Sequence, residues 1–215
     1  MNRRLMLKQL SALAALAAAG PAVLAQQQEG LRFQAMPNRI APETEGKIEV
    51  IEFFHYGCPH CRNFHPLIKT WLETLPEDVA FRANPVIWGS EQLKGLARLH
   101  ITAVRSGTLK IIQDNIFAGV QDEHLPLHTE AGVSDWIAKQ GVDAKAFMDT
   151  YKSFAIQGLV QRADQVTRAY KVQGVPTVAV DGRYITSATI AGSHENSLKV
   201  VDKLIQLVRE ESGRG

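Results

Sequence analysis

Two periods of hydrophobic residues, one typical of strands and one of helices, follow each other along the chain. After a polar stretch over residues 26–46, the segment KIEVIEFF (47–54) is rich in Ile, Val and Phe, which predicts a buried strand. The next segment, CPHCRNFHPLIKTWLETLP, has apolar residues at helical spacing and carries Pro59 where a first helical turn tolerates proline. VAFRANPVIW (79–88) predicts a second strand. The order is therefore strand, helix, strand.

A long helical block follows, and then the strand pattern returns. Residues 90–171 contain five helical segments separated by Gly, Ser, Asp or Pro, and Asp143 is placed to cap the fourth. GVPTVAV and RYITSATI are joined by Asp181-Gly182, which favours a hairpin turn, and a last helix is predicted over 195–210. Trp88 and Trp136 are expected in the core.

These segments predict an α/β fold with one sheet and an inserted all-helical subdomain. Residues 47–89 and 172–211 are each too small to form a core alone, so we expect them to share one sheet, with the helices of 90–171 inserted between them. Residues 212–215 are expected to form a flexible tail.

The first 25 residues have the pattern of an export signal. Arg3, Arg4 and Lys8 precede a short apolar run that ends in Val23-Leu24-Ala25, which predicts a signal peptide cleaved near Ala25 and an extended lead-in over 26–46. An uncleaved membrane anchor is the alternative, but the run is short for a bilayer span and Gly20-Pro21 interrupts it. The basic head also resembles a twin-arginine signal, so the export route stays open.

The charge balance argues against a nucleic-acid partner. The full chain has 24 basic and 22 acidic residues, and the predicted signal holds three of the basic and none of the acidic ones. The remaining chain has 21 basic and 22 acidic residues, so the basic excess belongs to the signal. With 45% hydrophobic and 21% charged residues, the composition is that of an ordinary globular protein.

The only two cysteines of the chain, Cys58 and Cys61, are separated by two residues at the predicted start of a helix. A disulfide here is a poor structural staple, because stabilisation grows with the length of the loop closed. At a helix N-terminus, however, free N–H groups and the helix dipole favour a thiolate, and a low thiol pKa makes a cysteine a reactive nucleophile and a good leaving group. His60, between the two, can add to this effect. The placement favours a disulfide that is made and broken in a reaction.

A metal site is the competing chemical interpretation. Five possible ligands fall within eleven residues, namely His55, Cys58, His60, Cys61 and His65. The chain has no second cysteine pair, and His55 and His65 are predicted on different elements. We therefore expect no metal and no cofactor other than the redox-active disulfide. His100, His124, His128 and His194 are assigned no role.

The segment EFFHYGCPHC at a strand-to-helix junction, GVPT before a late strand, and the helical insertion together resemble the DsbA family of periplasmic thiol–disulfide oxidoreductases. The resemblance extends from about Gly46 to Glu211. It implies a thioredoxin-like mixed sheet with the helices inserted into it. It also implies that Cys58 is the exposed nucleophile and Cys61 its buried partner.

The same resemblance implies roles for the neighbours of the two cysteines. Pro59 and His60 would form the dipeptide that tunes the thiolate. Pro176 would be a cis-proline facing the disulfide, and the backbone of Val175 would pair with a bound substrate peptide. His55 is expected at the rim of the substrate groove, together with Tyr56 and with Phe54 unless Phe54 belongs to the core.

Glu52 matches a buried acid of the family that can relay protons to Cys61. Its alternative is an edge-strand glutamate that faces water. The sequence departs from the family pattern at two positions near this acid: Ala83, next to Arg82, stands where the family often has a lysine, and His65 stands where it often has an acid.

The resemblance implies a monomeric periplasmic dithiol oxidase. It would donate the Cys58–Cys61 disulfide to newly exported unfolded proteins and be reoxidised by a DsbB-like, quinone-linked inner-membrane oxidase. An isomerase is disfavoured because residues 26–47 are too few for a dimerisation domain, and a reductase because of the export signal and His60. A metallochaperone or a holdase that binds unfolded chains is the alternative from another class.

Overall fold

The computed structural model describes residues 32–213, so the predicted signal peptide, the first part of the lead-in and the last two residues lie outside them. The strands are β1 (Gln34–Ala35), β2 (Ile48–Phe54), β3 (Val79–Pro85), β4 (Thr177–Val180) and β5 (Tyr184–Ser187). The helices are α1 (Pro59–Leu72), α2 (Glu91–Arg105), α3 (Leu109–Gln121), α4 (Glu130–Ile137), α5 (Ala144–Lys152), α6 (Phe154–Ala169), α7 (Ala188–Ala191) and α8 (His194–Glu211).

The strands form one mixed sheet in the order β1-β5-β4-β2-β3. Strand β2 pairs in parallel with β3 and antiparallel with β4, so it is an interior strand. The hairpin between β4 and β5 turns at Asp181 and Gly182, whose φ angles of 50° and 67° are both positive, as a tight hairpin turn requires. The predicted mixed sheet with a helical insertion is thus confirmed.

Helices cover the sheet on both faces. Apolar residues of α1 and α8, such as Phe64 and Leu204, pack with Val50 of β2 on one face. On the other face, Val166 of α6 and Tyr170, just after that helix, pack with Ile51 of β2. Ile51 is next to Val50 in the strand, and successive side chains of a strand point to opposite sides. Helices α2–α5 pack around a separate apolar cluster. This cluster includes Cys58 and Cys61, so the helical block and the sheet meet at the two cysteines.

The lead-in segment before β2 forms backbone hydrogen bonds with the β4–β5 hairpin, although only an extended segment was predicted there. Strand β1 pairs with β5, and the Ile40 amide donates to the carbonyl of Gly182 at 3.0 Å. A Cβ atom on Gly182 would lie 1.8 Å from the Ile40 carbonyl oxygen, so only glycine fits at that turn. A two-residue strand has no periodicity of its own, which explains why the sequence pattern does not predict it.

Three predictions at element ends are wrong. Strand β3 ends at Pro85 instead of continuing to residue 88, and the segment predicted as the second hairpin strand gives way at Ala188 to the short helix α7. Trp136 is buried, but Trp88 is 43% exposed. The backbone of Trp88 has a φ of 46°, which strand geometry excludes. Over residues 32–213, no helix combines the length and the apolar character that a bilayer span needs.

Candidate active site

Cys58 is the N-cap residue of α1. Its sulfur accepts a hydrogen bond from the Cys61 amide at 3.4 Å, and Pro59 occupies the first helical position. Both cysteines are free thiols in the structure, so it represents the reduced pair. The first turn of α1 contains no acidic residue that would oppose a negative charge. The helix start therefore holds the Cys58 sulfur where N–H groups converge on it.

These contacts lower the pKa of Cys58 from 9.0 to about 6. The largest cause is a hydrogen bond from the Cys61 side chain, followed among the favourable causes by the backbone N–H groups of Cys61 and His60 and by the charge of His60. Burial opposes them, since it disfavours the anion. At neutral pH the reduced protein therefore carries a thiolate on Cys58.

Cys61 has the opposite character. It is fully buried, and burial raises the pKa of its thiol far above the usual range, with the sulfur of Cys58 and the charge of Glu52 adding to the effect. Cys58, which the resemblance implied to be exposed, is itself buried because it packs into the cluster between the sheet and the helical block, and it keeps only 8% of its surface accessible. An incoming thiolate therefore reaches Cys58 first, and Cys61 keeps its proton in the reduced protein.

The Val175–Pro176 peptide bond faces this pair and is cis, as predicted. The Cys58 thiol lies 3.6 Å from the carbonyl oxygen of Val175, which places the two segments in contact. A groove of about 870 Å³ opens beside them and is lined by residues of β1, the segment before β4, β5 and α7, together with His60 and His194. Val175 and Pro176 both line it, so an extended chain in the groove would pass next to Cys58.

Glu52 lies on β2 and is 5% exposed, which contradicts the alternative of an edge-strand residue facing water. Burial raises its pKa from 4.5 to about 8. The carboxyl group is close enough to the cysteine pair that its charge raises the pKa of Cys61. A protonated acid therefore lies beside the buried thiol at neutral pH.

Comparisons with known proteins agree with this geometry. The family model described as Thioredoxin matches residues 38–203. The thiol:disulfide interchange protein DsbA of Pseudomonas aeruginosa is 37% identical over 184 residues, which cover 84% of this chain and 85% of the relative. The DsbA of Bordetella parapertussis is 37% identical over 198 residues, covering 91% and 94%. The crystal structure of Pseudomonas aeruginosa DsbA has a TM-score of 0.81 at 36% identity, covering 86% of this chain and 95% of that one.

The chain belongs to the DsbA family. The oxidoreductase NmDsbA1 of Neisseria meningitidis is a further structural neighbour, with a TM-score of 0.77 at 28% identity over 86% of this chain and 95% of that one. The protein is a thiol:disulfide oxidoreductase that acts on proteins by thiol exchange, as the resemblance implied.

The two departures from the DsbA pattern change the surroundings of Glu52. Ala83 is its register partner on β3, while Arg82 points to the opposite face and donates to Glu49 at 3.0 Å. No cation is therefore paired with Glu52 within residues 32–213, and burial alone raises its pKa.

His65 is also buried, and its Nε2 lies 2.8 Å from an oxygen of Asp114. The second oxygen of that carboxylate accepts from Lys69 at 2.8 Å. Burial lowers the pKa of His65 despite its acidic partner. This DsbA family member thus has an imidazole–carboxylate pair where the family often has an acid.

A contact from the helical insertion to the turn of the nucleophile was not predicted from the sequence. The Gln121 side chain, at the end of α3, donates to the carbonyl of Tyr56 at 2.6 Å and to that of Cys58 at 3.1 Å. The next residue, Asp122, receives a two-point salt bridge from Arg62 of α1. The helical block therefore holds the turn that carries Cys58. No local pattern signals this, because the partners are more than 55 positions apart.

The three candidate residues for the rim of the substrate groove, Phe54, His55 and Tyr56, do not lie at the rim. Phe54 and Tyr56 are both buried, and the Tyr56 hydroxyl lies 2.9 Å from Nδ1 of His100. His55 does not line the groove; its ring lies edge-on to Trp88, with the centroids 6.1 Å apart. Three or more possible ligand side chains do not come together at a metal-binding geometry in the described residues.

His194, which the sequence left without a role, lies at the groove. It stands at the start of α8 and stacks on Phe64, with ring centroids 5.2 Å apart. Its ring is 6.3 Å from that of His60, and both rings line the groove. Burial lowers the pKa of His194, and the charge of His60 lowers it further.

Proposed function

We propose that the protein is a periplasmic dithiol oxidase that donates the Cys58–Cys61 disulfide to newly exported, unfolded proteins. The observation that carries the proposal is the contrast between the two thiols. The pKa of Cys58 is about 6, while that of Cys61 is raised far above its usual range. Stabilising one thiolate stabilises the reduced pair, and a stabilised reduced form makes the disulfide a stronger oxidant.

The size of this effect follows from linkage. A thiol pKa of about 6 instead of 9.0 favours the folded, reduced form by about 1.4 kcal/mol at pH 7 and by roughly 4 kcal/mol above pH 9. The disulfide form has no thiol to titrate and gains nothing. For a two-electron couple, about 1.4 kcal/mol corresponds to about 30 mV towards a more oxidising potential.

The proposed reaction has two exchange steps. A substrate thiolate attacks the sulfur of Cys58, a substrate–Cys58 bond forms, and the Cys58–Cys61 bond breaks with Cys61 as the leaving group. A second substrate thiolate then attacks the substrate sulfur of the mixed disulfide, and Cys58 leaves as a thiolate. The substrate has lost two electrons and gained a disulfide, and the enzyme is reduced.

Cys61 must take up a proton as it leaves, because its pKa is far above neutral. Glu52, protonated at neutral pH with a pKa of about 8, is the proposed donor. His60 and Pro59 would tune the thiolate, and the backbone of Val175 beside Pro176 would pair with the substrate chain. His55 would act beside Cys58 and not in the groove, given its place against Trp88.

The cycle needs an electron acceptor and an export route. We propose that a DsbB-like, quinone-linked inner-membrane oxidase accepts the two electrons, that the predicted signal peptide directs the chain to the periplasm, and that the protein acts as a monomer. The redox-active disulfide is the proposed sole cofactor.

Equilibration of the Cys58–Cys61 pair in defined glutathione buffers, followed by thiol trapping, tests the proposal. We expect a potential more oxidising than that of glutathione, with the reduced form more resistant to denaturant than the oxidised form. His60→Ala is the matched variant and should shift the potential to a more reducing value, because it removes a favourable charge at the thiolate.

Two results would contradict an oxidase. A strongly reducing potential would make the protein a reductase that runs the same chemistry in the other direction. Suppression of protein aggregation that survives Cys58→Ser would indicate a holdase.

A further inference from the structure

Trp88 is a large aromatic residue that is 43% exposed beside the active site. It lies between β3 and α2, in the connection that takes the chain from the sheet into the helical block. Its φ of 46° lies in the left-handed region, which is unfavourable for a residue with a bulky side chain. A backbone held in this conformation needs compensating contacts.

One compensating contact reaches the second connection between the two parts of the molecule. The indole N–H of Trp88 donates to the carbonyl of Val172 at 3.1 Å. Val172 lies in the segment that returns the chain from α6 to β4, and its amide is bonded to Thr167 at 3.2 Å. Trp88 therefore joins the outgoing and the returning connections with one hydrogen bond.

The returning connection continues directly into the catalytic surface. Two residues after Val172, the carbonyl of Gly174 accepts from the Thr177 hydroxyl at 2.8 Å. The carbonyl of Val175 is left pointing at Cys58, with its oxygen 3.6 Å from the sulfur. Fixing the carbonyl of Val172 thus helps to fix the position of the Val175 backbone relative to the nucleophile.

Trp88 also lies against the segment that precedes the nucleophile. Its ring is edge-on to His55 at a centroid distance of 6.1 Å, and the carbonyl of His55 accepts from the Cys58 amide at 3.1 Å. The same side chain therefore contacts the turn that carries Cys58 and the loop that carries Val175. These are the two segments whose spacing a substrate chain must match.

We propose that Trp88 is a positioning residue that sets the spacing between the Cys58 turn and the Val175–Pro176 loop through its indole hydrogen bond. This inference rests on the proposed function, because a role in substrate positioning has meaning only if a polypeptide pairs with that loop. A small thiol needs no such pairing and should not depend on the bond.

The test compares two reductants of the oxidised protein: cysteamine and a synthetic unfolded peptide with two cysteines. Trp88→Phe keeps the aromatic ring and removes the donor. It should slow the reaction with the peptide about five- to tenfold, the equivalent of one neutral hydrogen bond, and leave the reaction with cysteamine unchanged. Trp136→Phe, at a buried tryptophan of the helical block, is the control and should leave the ratio of the two rates unchanged.

Two results would overturn the inference. An unchanged peptide rate in Trp88→Phe together with a slow rate in Trp88→Ala would mean that the ring itself contacts the substrate. An equal loss with both reductants would mean that the substitution changes the reactivity of Cys58. A wild-type protein that reacts with cysteamine but not with the peptide would instead refute the proposed function, and this inference with it, before any variant is compared.

A measurement on the unsubstituted protein keeps the inference testable if the Trp88 variants do not fold. The indole N–H of Trp88, assigned by NMR, should exchange with deuterium slowly although the ring is exposed, because the hydrogen is bonded to Val172. Exchange within the dead time would show that the bond is absent in solution and would overturn the inference.

Discussion

The stability of a reduced Glu52→Gln variant should increase relative to that of the reduced wild type as the pH rises. Glu52 is 5% exposed on an interior strand, and no hydrogen bond or ion pair of the described residues offsets its burial. A carboxylate at this place is unfavourable, so the folded protein holds a proton that the unfolded chain releases. Glutamine has nearly the same shape and no proton to hold.

The magnitude follows from the two pKa values. Glu52 has a pKa of 4.5 in an unfolded reference and about 8 in the folded protein. A carboxyl group whose pKa is higher in the folded protein does not lower the free energy of unfolding below pH 4.5. Between pH 4.5 and pH 8 it lowers this free energy by about 1.4 kcal/mol per pH unit, and above pH 8 the total loss is roughly 5 kcal/mol. At pH 7 the cost is about 3 kcal/mol. A buried amide without partners adds a penalty of about 1–3 kcal/mol that does not depend on pH.

The pH-dependent part is therefore the quantity to measure. Denaturant unfolding of the reduced wild type and of Glu52→Gln between pH 5 and pH 8 should give a stability difference that grows by about 3.5 kcal/mol in favour of the variant. Glu49→Gln is the matched control. Glu49 lies on the same strand, is also buried and is paired with Arg82 at 3.0 Å, so its replacement should destabilise the protein.

A difference between Glu52→Gln and wild type that does not change from pH 5 to pH 8 would refute the reasoning. It would mean that Glu52 is already ionised in the folded protein at pH 5, and the role as a proton donor to Cys61 would fall with it. A direct titration of the Glu52 carboxyl carbon by NMR separates this outcome from a compensating change elsewhere.

Two further predictions concern the nucleophile. The rate at which iodoacetamide alkylates the reduced protein should titrate with a midpoint near pH 6, because the thiolate of Cys58 is the reacting form. A midpoint near the ordinary thiol pKa of 9.0 would contradict the stabilising contacts assigned to the Cys58 sulfur. Gln121→Ala should destabilise the protein by about 1–3 kcal/mol, because the carbonyl of Tyr56 loses its side-chain donor while that of Cys58 keeps only the Arg62 amide. Gln157→Ala, on the exposed side of α6, should have little effect, and equal stability of both variants in denaturant unfolding would contradict the role of Gln121.

Periodicity and local chemistry predicted the parts of the fold that depend on neighbouring residues. Strand β2 and helix α1 follow from runs of apolar residues at the two periods, and Asp143 caps α5 as its position predicts. Cys58 lies at the N-cap because Pro59 fits the first turn of a helix and disfavours a helical backbone at the residue before it. Each of these features is decided within a few residues.

Features that depend on how the insertion packs on the sheet could not be predicted from the sequence. The bond from Gln121 to the Cys58 turn and the bond from Trp88 to Val172 join residues 63 and 84 positions apart. An apolar period indicates which side of an element is buried, but it does not say what covers that side. Trp88 was predicted in the core, but the positive φ of its backbone, which exposes it, has no signature in the sequence.

The different reactivity of the two cysteines arises from where one helical turn lies in the fold and not from their spacing. Cys58 and Cys61 share a turn of α1, yet Cys58 receives N–H donors and the charge of His60, while Cys61 is enclosed above Glu52 and loses contact with water. A pair with the same spacing on an exposed helix would have two similar thiols and a disulfide of ordinary stability. Here the helical insertion supplies both the cover that buries Cys61 and, through Gln121, the support for the Cys58 turn. The sheet supplies Glu52 and the loop at Val175. The redox pair therefore depends on both parts of the molecule, which explains why a contact that joins their connections can affect substrate reactions.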